Sequence, residues 1–420
     1  MAKELHELNE LEERVILVAV EMDERSSRSA MDTDACLDEL EELVKTAGAT
    51  AVARSVQKRE RIHPGHYLGT GKIEELKAML LAYDATGIVC DDELSPAQLR
   101  NLEQMLGTKV MDRTIVILDI FAARALSGEG KIQVELAQLK YRLSRLTGMG
   151  ASMSRLGGGI GTRGPGEKKL ETDRRYIKER IAELNKDAQE IRTHRELLRA
   201  QRSKKGTPVI SLVGYTNAGK STILNRLSDA GVLAEDKLFA TLDPTSRKLV
   251  LPSGMAVLLV DTVGFVSRLP HNLVEAFKST LEEAAWSDVI VRVADAGDDQ
   301  REEQLAVTDE VLDGLDCADI PRLTVYNKCD KPNALNFDPD ILLTSAKTGY
   351  GLDALLKKLD ELLSDRVHTI RVLLPYDKLG LAAPMRERGS VQVEEYREDG
   401  LYLEGIVKTE DLHCFEGFLV

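Results

Sequence analysis

The amino-acid sequence predicts an α/β protein built from several domains, and three observations support this fold class. The chain has 420 residues, well above the ~150 of an ordinary domain. Short apolar runs alternate with amphipathic ones in two separate regions, as in parallel sheets covered by helices. Between those regions, apolar residues recur every seven positions, which is typical of a paired helix. With 43% hydrophobic and 30% charged residues, the chain cannot be wholly disordered or collagen-like.

The first predicted domain, residues 1–127, is an N-terminal parallel α/β subdomain. The expected strands are Arg14–Glu21, Thr50–Val56, Gly87–Cys90 and Lys109–Met111, and the expected helices are Asp32–Lys45, Ile73–Leu81 and Pro96–Leu106. One of these helices follows the run Gly69-Thr70-Gly71-Lys72. That run is either an anion site at a helix N-terminus or a plain strand-to-helix turn, and its spacing is not that of a full phosphate loop.

The second predicted domain, residues 128–205, is a helical hairpin. Apolar residues three and four apart give the first helix one stripe, at Ile132, Leu136, Leu139, Leu143 and Leu146. The second helix, expected at about Glu167 to Ser203, repeats every seven positions, at Leu170, Ile177, Leu184, Ile191 and Leu198. The two stripes predict an antiparallel coiled coil. The glycine-rich loop that joins the helices, residues 157–166, is longer than a simple connector needs.

Charge is unevenly distributed along the chain. The formal net charge is −14, which on its own argues against a nucleic-acid partner. Residues 140–205, however, carry 18 Lys or Arg against eight acidic residues, a local charge of +10 that leaves −24 for the rest. A solvated helix face usually balances its charges, so this excess beside a loop with Arg155 and Arg163 favours nucleic acid. A flexible connector is the other interpretation of the loop.

The third predicted domain, residues 206–365, contains a phosphate-binding loop. The apolar run Val209–Val213 leads into Gly214-Tyr-Thr-Asn-Ala-Gly-Lys-Ser221, and a helical pattern follows. This is GxxxxGK[ST] in its strand–loop–helix setting. Backbone amides of such a loop surround the phosphates, its lysine neutralises the β- and γ-oxygens, and its serine ligates Mg²⁺. The predicted phosphate-binding residues are Gly214, Tyr215, Thr216, Asn217, Ala218, Gly219, Lys220, Ser221 and Thr222.

Two further motifs predict the metal ligands and the switch regions. Asp261-Thr-Val-Gly264 follows the apolar run Ala256–Val260, and Phe239-Ala-Thr-Leu-Asp-Pro244 precedes it. The expected Mg²⁺ ligands are Ser221, Thr241 and Asp261, and the expected catalytic residues are Lys220, Thr241 and Gly264. Loops that γ-phosphate and Mg²⁺ order act as switches. The predicted switch residues are Phe239, Ala240, Thr241, Leu242, Asp261, Thr262, Val263, Gly264 and Phe265.

The base of the nucleotide is predicted to be guanine. The run Leu323–Tyr326 ends in Asn327-Lys-Cys-Asp330. A carboxylate there accepts hydrogen bonds from N1–H and N2–H₂ of guanine, a pair of donors that adenine lacks. The expected guanine-binding residues are Asn327, Lys328, Asp330, Ser345, Ala346 and Lys347. Together the motifs predict a P-loop GTPase domain, an enzyme that binds GTP and hydrolyses it to GDP and phosphate.

One position departs from the simplest GTPases. Phe265 stands where Ras-like proteins have the glutamine that orients the attacking water, so slow intrinsic hydrolysis is expected unless another group or a partner assists. Asn217 has two interpretations, which the sequence leaves equally open. Either it holds K⁺ against the phosphates, which makes K⁺ a second candidate cofactor beside Mg²⁺, or it only braces the loop.

The last predicted domain, residues 366–420, is a small α+β domain. A strand at Thr369–Leu374, a helix at Lys378–Glu387 and a hairpin of Val391–Tyr396 with Leu401–Val407 are expected. The N-terminus has no apolar signal core, and no apolar run approaches the ~20 residues of a membrane span. We therefore expect no membrane span and a cytoplasmic location.

These motifs together resemble the HflX family, ribosome-associated GTPases of the Obg-like group within the translation-factor-related GTPases. The resemblance covers nearly the full length and is carried by Gly158–Glu167, Leu170–Arg175, Gly214–Ser221, Phe239–Thr245 and Asp261–Phe265, with His63-Pro64, Gly69–Lys72 and Leu94–Gln98 in the first domain. The chain departs from the family at Lys168-Lys169, where Thr-Gln is usual.

The resemblance implies a GTPase that binds the large (50S) ribosomal subunit and splits stalled 70S ribosomes, with the hairpin tip near the peptidyl-transferase centre. It implies rRNA contacts at Arg155, Gly157, Gly158, Gly159, Gly161, Arg163, Gly164 and Gly166. An alternative is a ribosome-remodelling or assembly factor with additional ATP-linked RNA activity in the N-terminal region. A third hypothesis, a switch that acts on a protein partner without RNA, is opposed by the +10 hairpin. We expect a monomer.

Overall fold

A computed structural model describes residues 13–22, 32–146, 165–205, 207–228, 238–239, 242, 244–268, 283–315, 317–334, 341–363, 367–387 and 390–420. The chain forms two compact units, of which the first comprises residues 1–186 and 267–276 and the second residues 187–266 and 277–420. The finer division into four domains stays a prediction.

The described part of the first unit contains a parallel sheet of four strands in the order β2-β1-β3-β4. The strands are β1 (Arg14–Met22), β2 (Thr50–Arg59), β3 (Gly87–Cys90) and β4 (Lys109–Asp112), and the helices between and after them are α1 (Thr33–Thr46), α2 (Thr70–Ala82), α3 (Pro96–Leu106) and α4 (Arg113–Arg124). All residues of β3 are buried, as expected for an inner strand of a parallel sheet. The predicted α/β class is confirmed here.

Side chains at the strand-to-helix junctions fix where these helices begin. Asp32 accepts a hydrogen bond from Thr33 N at 2.8 Å at the start of α1. Ser95 and Gln98 form a capping box at the start of α3, with Pro96 in its first turn. Asp112 ends β4 and accepts from Ile115 N at 3.0 Å, so the strand turns directly into α4.

The hairpin consists of α5 (Gly128–Leu146) and α6 (Pro165–Lys205). At 41 residues, α6 is about 60 Å long. Ile177 and Leu184, seven residues apart, are buried as the heptad spacing predicts. Arg180 on α6 joins Glu135 on α5 through two hydrogen bonds of 2.8 and 3.2 Å. The two helices are therefore joined by a bidentate ion pair.

Two predictions for the hairpin need correction. Of the five residues in the predicted stripe of α5, only Leu136 is buried, beside Val134, Ala137 and Tyr141. The buried face is rotated from the predicted stripe and contains Tyr141, whose hydroxyl donates to Asp112 at 2.8 Å. Helix α6 begins at Pro165, a favourable first helical residue, so Gly166 lies in the helix and not in the loop. The other predicted rRNA contacts, from Arg155 to Gly164, lie outside the described residues.

The described part of the second unit has a sheet of six strands in the order β10-β9-β8-β5-β7-β6, parallel except for β6. The strands are β5 (Val209–Gly214), β6 (Thr245–Val250), β7 (Ala256–Asp261), β8 (Val289–Asp295), β9 (Arg322–Asn327) and β10 (Leu342–Leu343), and the helices are α7 (Lys220–Ser228), α8 (Arg301–Asp313) and α9 (Leu352–Leu363). Inward-facing residues of β5 and β8, such as Leu212 and Val291, form the core with α7 and α9. Ligands of such open sheets bind at the carboxyl ends of the strands.

The C-terminal segment forms an antiparallel sheet in the order β11-β13-β12, with β11 (Val367–Leu374), β12 (Ser390–Arg397) and β13 (Gly400–Lys408). The single α-helix predicted at Lys378–Glu387 is wrong. A 3₁₀-helix, Tyr376–Ala382, precedes the short α10 (Ala383–Glu387). Pro384 has no amide hydrogen to continue an α-helix from Gly380, which explains the break. No helix in the described part of the chain is long and apolar enough to cross a membrane.

Candidate nucleotide-binding site

The phosphate loop leaves the carboxyl end of β5 and leads into α7, and two glycines allow its path. Gly214 and Gly219 have φ values of 152° and 94°. A Cβ on Gly214 would lie 2.1 Å from the Val293 carbonyl oxygen, and one on Gly219 would lie 2.2 Å from Asn327 Nδ2. Any side chain at these positions would collide with a neighbouring strand or its end, so both positions require glycine.

Lys220 folds back over the loop. Its Nζ donates hydrogen bonds to the carbonyl oxygens of Gly214 and Tyr215, at 2.9 and 2.8 Å. The side chain is buried, and burial lowers the pKa of Lys220 to about 8 although the Asp261 carboxylate acts in the opposite direction. The ammonium group is thus preplaced at the loop, and a phosphate oxygen beside it would replace the hydration that it has lost.

Ser221, in the first turn of α7, and Asp261, at the end of β7, meet beside this lysine. Ser221 Oγ donates to Asp261 Oδ2 at 2.6 Å. Asp261 is the last residue of β7, which runs parallel to β5. Hydroxyl and carboxylate oxygens are the hard ligands that Mg²⁺ prefers. The donor set of these two residues therefore fits a Mg²⁺ ion.

The first predicted switch region is described only at Phe239 and Leu242. Both side chains are buried, and Phe239 has a positive φ of 53°. Ala240 and Thr241, the latter the third predicted Mg²⁺ ligand, lie outside the described residues.

The second predicted switch region runs along the edge of the phosphate loop. Phe265 N donates to the Gly214 carbonyl at 3.1 Å, and Thr216 N donates to the Phe265 carbonyl at 2.7 Å. A Cβ on Gly264 would lie 3.1 Å from Lys220 Nζ, so this glycine permits close approach to the lysine. Thr262 and Val263, which lie between Asp261 and Gly264, are also buried. The Phe265 ring lies in an apolar cluster and is not positioned to orient water.

The residues predicted to recognise guanine come together after β9 and β10. Asn327 Nδ2 donates to the Ala218 carbonyl at 2.9 Å, and Asn327 Oδ1 accepts from Ala346 N at 3.0 Å. Ser345 Oγ donates to Asp330 Oδ1 at 2.6 Å, and this hydrogen bond lowers the pKa of Asp330. The Asp330 side chain is otherwise exposed. An ionised carboxylate is therefore available to accept two hydrogen bonds from a base.

Lys328 connects this region to the phosphate loop. Its Nζ donates to Asn217 Oδ1 at 3.3 Å and lies 3.1 Å from Asp295 Oδ2. Asn217 has a left-handed φ of 59° and an exposed side chain. This hydrogen bond joins the phosphate loop to the segment that follows β9. Thr222 lies in the first turn of α7 and is half-buried, and Lys347 is exposed.

Sequence reasoning missed Asp295, the last residue of β8. Its Oδ2 also lies 2.8 Å from Lys331 Nζ. Burial works against ionisation of this carboxyl, but Lys331 and Lys328 outweigh it and lower the pKa of Asp295. The signal that would have found it is its position, because it is an acidic residue at the end of an apolar strand between β5 and β9.

Three family models match successive parts of the chain. "GTP-binding GTPase N-terminal" matches residues 34–122, "GTP-binding GTPase Middle Region" matches residues 124–202, and "50S ribosome-binding GTPase" matches residues 209–328. A GTPase HflX of Lacrimispora saccharolytica is 56% identical over 413 residues, which cover 97% of this chain and 96% of the relative. A GTPase HflX of Caldanaerobacter subterraneus is 47% identical over 99% of this chain and 96% of its own.

Among solved structures, a GTP-binding protein from the archaeon Sulfolobus solfataricus in complex with GDP matches with a TM-score of 0.44 and 23% identity. The match covers 83% of this chain and 99% of that one.

Proposed function

Because this chain belongs to the HflX family of GTPases, we propose that it acts on the ribosome, where it binds the large subunit and splits stalled 70S particles. As a P-loop GTPase, it hydrolyses GTP to GDP and phosphate. The observation that carries the ribosomal part is the match of residues 209–328 to the 50S ribosome-binding GTPase model. We further propose that the protein is a cytoplasmic monomer.

In the proposed site, the loop from Gly214 to Thr222 binds the phosphates. Backbone amides of the loop donate to phosphate oxygens, and α7 directs its N-terminus at them. Lys220 exchanges two carbonyl acceptors for anionic β- and γ-oxygens. Charge-assisted hydrogen bonds are about twice as strong as neutral ones, so this exchange favours binding.

The metal and base sites follow from the same strand ends. Ser221 and Asp261 would hold Mg²⁺, with Thr241 as the third proposed ligand, and the ion would neutralise charge on the β- and γ-oxygens. Asp330 accepts from N1–H and N2–H₂ of guanine. Ser345 holds that carboxylate, and Asn327, Lys328, Ala346 and Lys347 complete the proposed pocket.

Hydrolysis needs an attacking water that Phe265 does not orient. In this proposal the Gly264 amide contacts the γ-phosphate, while the Phe265 ring stays in the apolar core. The group that orients the water therefore comes from elsewhere, and we propose that 50S binding supplies or positions it. The hydrogen bond from Lys328 to Asn217 favours the brace for Asn217, and K⁺ remains the alternative that a comparison of salts tests.

The hairpin is the proposed rRNA-binding element. The support is its charge of +10 over residues 140–205 and the resemblance of its glycine-rich tip to the family motif. The proposed contacts are Arg155, Gly157, Gly158, Gly159, Gly161, Arg163 and Gly164, with Gly166 at the start of α6.

The test is co-sedimentation with 30S, 50S and 70S particles in GTP, GDP and a non-hydrolysable GTP analogue, with light scattering to follow splitting. We expect binding to 50S, strongest with the analogue, and splitting of 70S. Absence of 50S binding, or of 50S stimulation of GTP hydrolysis, would overturn the proposal.

Two matched double variants distinguish a specific role of the hairpin tip in 50S binding from the effect of overall positive charge. Arg155→Glu with Arg163→Glu is expected to abolish 50S binding. Arg175→Glu with Lys178→Glu makes the same change of charge at exposed positions on α6 and is expected to retain most of it. Equal loss in both pairs would mean that the tip has no special role. Duplex unwinding that survives Lys220→Ala would favour the ATP-linked alternative.

A further inference from the structure

The chain that continues from the second switch region enters the first compact unit within two residues of Phe265. Val266 is the last residue of its segment in the second unit, and Ser267 begins the segment that belongs to the first. Ser267 N donates to Glu39 Oε1 at 3.2 Å, and the Ser267 hydroxyl donates to Glu39 Oε2. Ser267 is 2% exposed. The switch segment is therefore fixed three residues after Gly264.

Glu39 and Ser267 are part of a largely buried cluster of polar and charged side chains, here called the anchor cluster. Its other members are Asp91, Arg113 and Arg268. Arg113 Nη2 donates to Glu39 Oε2 at 2.6 Å and to Ser267 Oγ at 3.1 Å. Arg113 Nη1 donates to Asp91 Oδ1 at 2.9 Å, and Arg268 Nη1 donates to Asp91 Oδ2 at 2.7 Å. The side chains of Arg113 and Asp91 are 2% and 1% exposed.

The anchor cluster is better suited to fixing a geometry than to stabilising the fold. Buried ion pairs must repay the loss of hydration, and apolar residues of similar volume often stabilise a fold as well or better. Once formed, however, such a cluster tolerates little displacement, because any shift leaves a buried charge without its partner. It also holds Arg268 at a φ of 50°, a region that arginine disfavours. The geometry it fixes is that of the chain leaving the switch.

The other end of the same short segment is held on the phosphate loop. The two backbone hydrogen bonds of Phe265 join it to Gly214 and Thr216. Between these bonds and Lys220, Gly264 has its backbone beside the ammonium group that would meet the γ-phosphate. GDP has no γ-phosphate. The position of Gly264 should therefore affect the affinity for GTP and the rate of hydrolysis, and should affect the affinity for GDP much less.

We propose that Glu39, Arg113 and Ser267 are positioning residues for GTP hydrolysis. The anchor cluster in the first unit holds Gly264 where its amide meets the γ-phosphate.

The test uses Ser267→Ala and Glu39→Gln in the full chain. Each variant is expected to lower kcat about tenfold and to weaken a non-hydrolysable GTP analogue by a similar factor, because the charged hydrogen bond that fixes the segment is lost. Affinity for GDP is expected to stay unchanged. The loss in the double variant should be smaller than the sum of the two single losses, since the contact between Ser267 and Glu39 is weakened in both.

Arg145→Gln is the matched control. Arg145 forms an ion pair with Asp112 at 2.6 Å, with 14% and 0% of the two side chains exposed, and this pair joins α5 to the end of β4. Arg145→Gln should lower Tm at least as much as Ser267→Ala and leave the ratio of GTP-analogue to GDP affinity unchanged. The proposal is overturned if the two nucleotides weaken together in the Ser267 and Glu39 variants, if neither kcat nor analogue affinity changes, or if Arg145→Gln reproduces the effect.

Discussion

The four-stranded sheet and the six-stranded sheet each have a helix with a Gly-Lys pair in or before its first turn, and the two lysines are held in different ways. Lys220, at the start of α7, is buried and donates to two carbonyl oxygens of its own loop. Lys72, in the first turn of α2, instead pairs with Glu75 on the same helix at 2.8 Å. The Gly69 amide before α2 is occupied by Gln57 Oε1 at 2.9 Å.

The difference shows what makes a phosphate site beyond the dipeptide. Eight residues from Gly214 to Ser221 give the loop enough length to wrap a ligand and to bring Lys220 back over its own carbonyl groups. The shorter run at Gly69 turns straight into α2, and its lysine pairs with the Glu75 carboxylate on the same helix. The Gly69 amide is already satisfied, which favours the plain turn, while the anion site stays the other interpretation of that run.

The largest expected effect separates the two lysines directly. Lys220→Ala should reduce GTP turnover on the order of 10³-fold, because it removes the charge that stabilises the transferring phosphoryl group. Lys72→Ala should leave turnover unchanged. Steady-state phosphate release by both variants, with Tm as a check of folding, measures this contrast. A comparable loss in Lys72→Ala would mean that the N-terminal run takes part in GTP hydrolysis.

The next effect concerns the base and depends on Asp330. Asp330→Asn replaces an acceptor of two hydrogen bonds with a group that also donates, so affinity for GDP should fall about 10²-fold. Xanthosine diphosphate, which has a carbonyl in place of the 2-amino group, should bind the variant better than GDP does. Competition binding with both nucleotides provides the measurement. Unchanged preference for guanine would remove Asp330 from the proposed pocket.

Much of the nucleotide site was predictable because its residues follow buried strands. Ser221, Asp261, Asn327 and Asp330 lie at or after the carboxyl ends of β5, β7 and β9, and ends of adjacent parallel strands meet at one edge of a sheet. The fold class was predictable for the same reason, since alternating strands and helices specify a parallel sheet.

The structural features that were not predicted have no distinctive pattern in the nearby sequence. The run in α4, Arg113–Arg124, is rich in β-branched residues, and periodicity alone does not distinguish a buried helix from a strand there. Strand β6 joins the sheet antiparallel, which spacing does not reveal. The contact between Glu39 and Ser267 spans 228 residues of sequence, so only the folded chain brings the two together.

A third effect distinguishes Lys220 by its pKa. In the free protein the pKa of Lys220 is about 8, whereas phosphates beside the ammonium group should raise it. Below pH 8, Lys220 is protonated in both the free and the nucleotide-bound protein, so the affinity for the nucleotide does not change with pH. Above pH 8 binding must take up a proton, so affinity should fall by about tenfold per pH unit. Calorimetry in two buffers of different ionisation enthalpy measures the uptake.

Asp330→Asn serves as the control for this pH dependence. It weakens binding at the base and leaves Lys220 in place, so the variant should keep the same slope above pH 8. A flat affinity to about pH 9 without proton uptake would show that Lys220 remains charged in the free loop despite its burial.

The smallest expected effect concerns Asn217, for which the sequence left two roles open. The side-chain carbonyl oxygen of Asn217 already accepts a hydrogen bond from Lys328. If this bond braces the loop equally before and during the reaction, the rate of hydrolysis should not depend on the monovalent cation. Turnover in K⁺ and Na⁺ should therefore agree within about twofold. Asn217→Ala should weaken GTP and GDP alike. Strong stimulation by K⁺ that Asn217→Ala abolishes would establish K⁺ as a ligand and mean that Lys328 releases Asn217 when GTP binds.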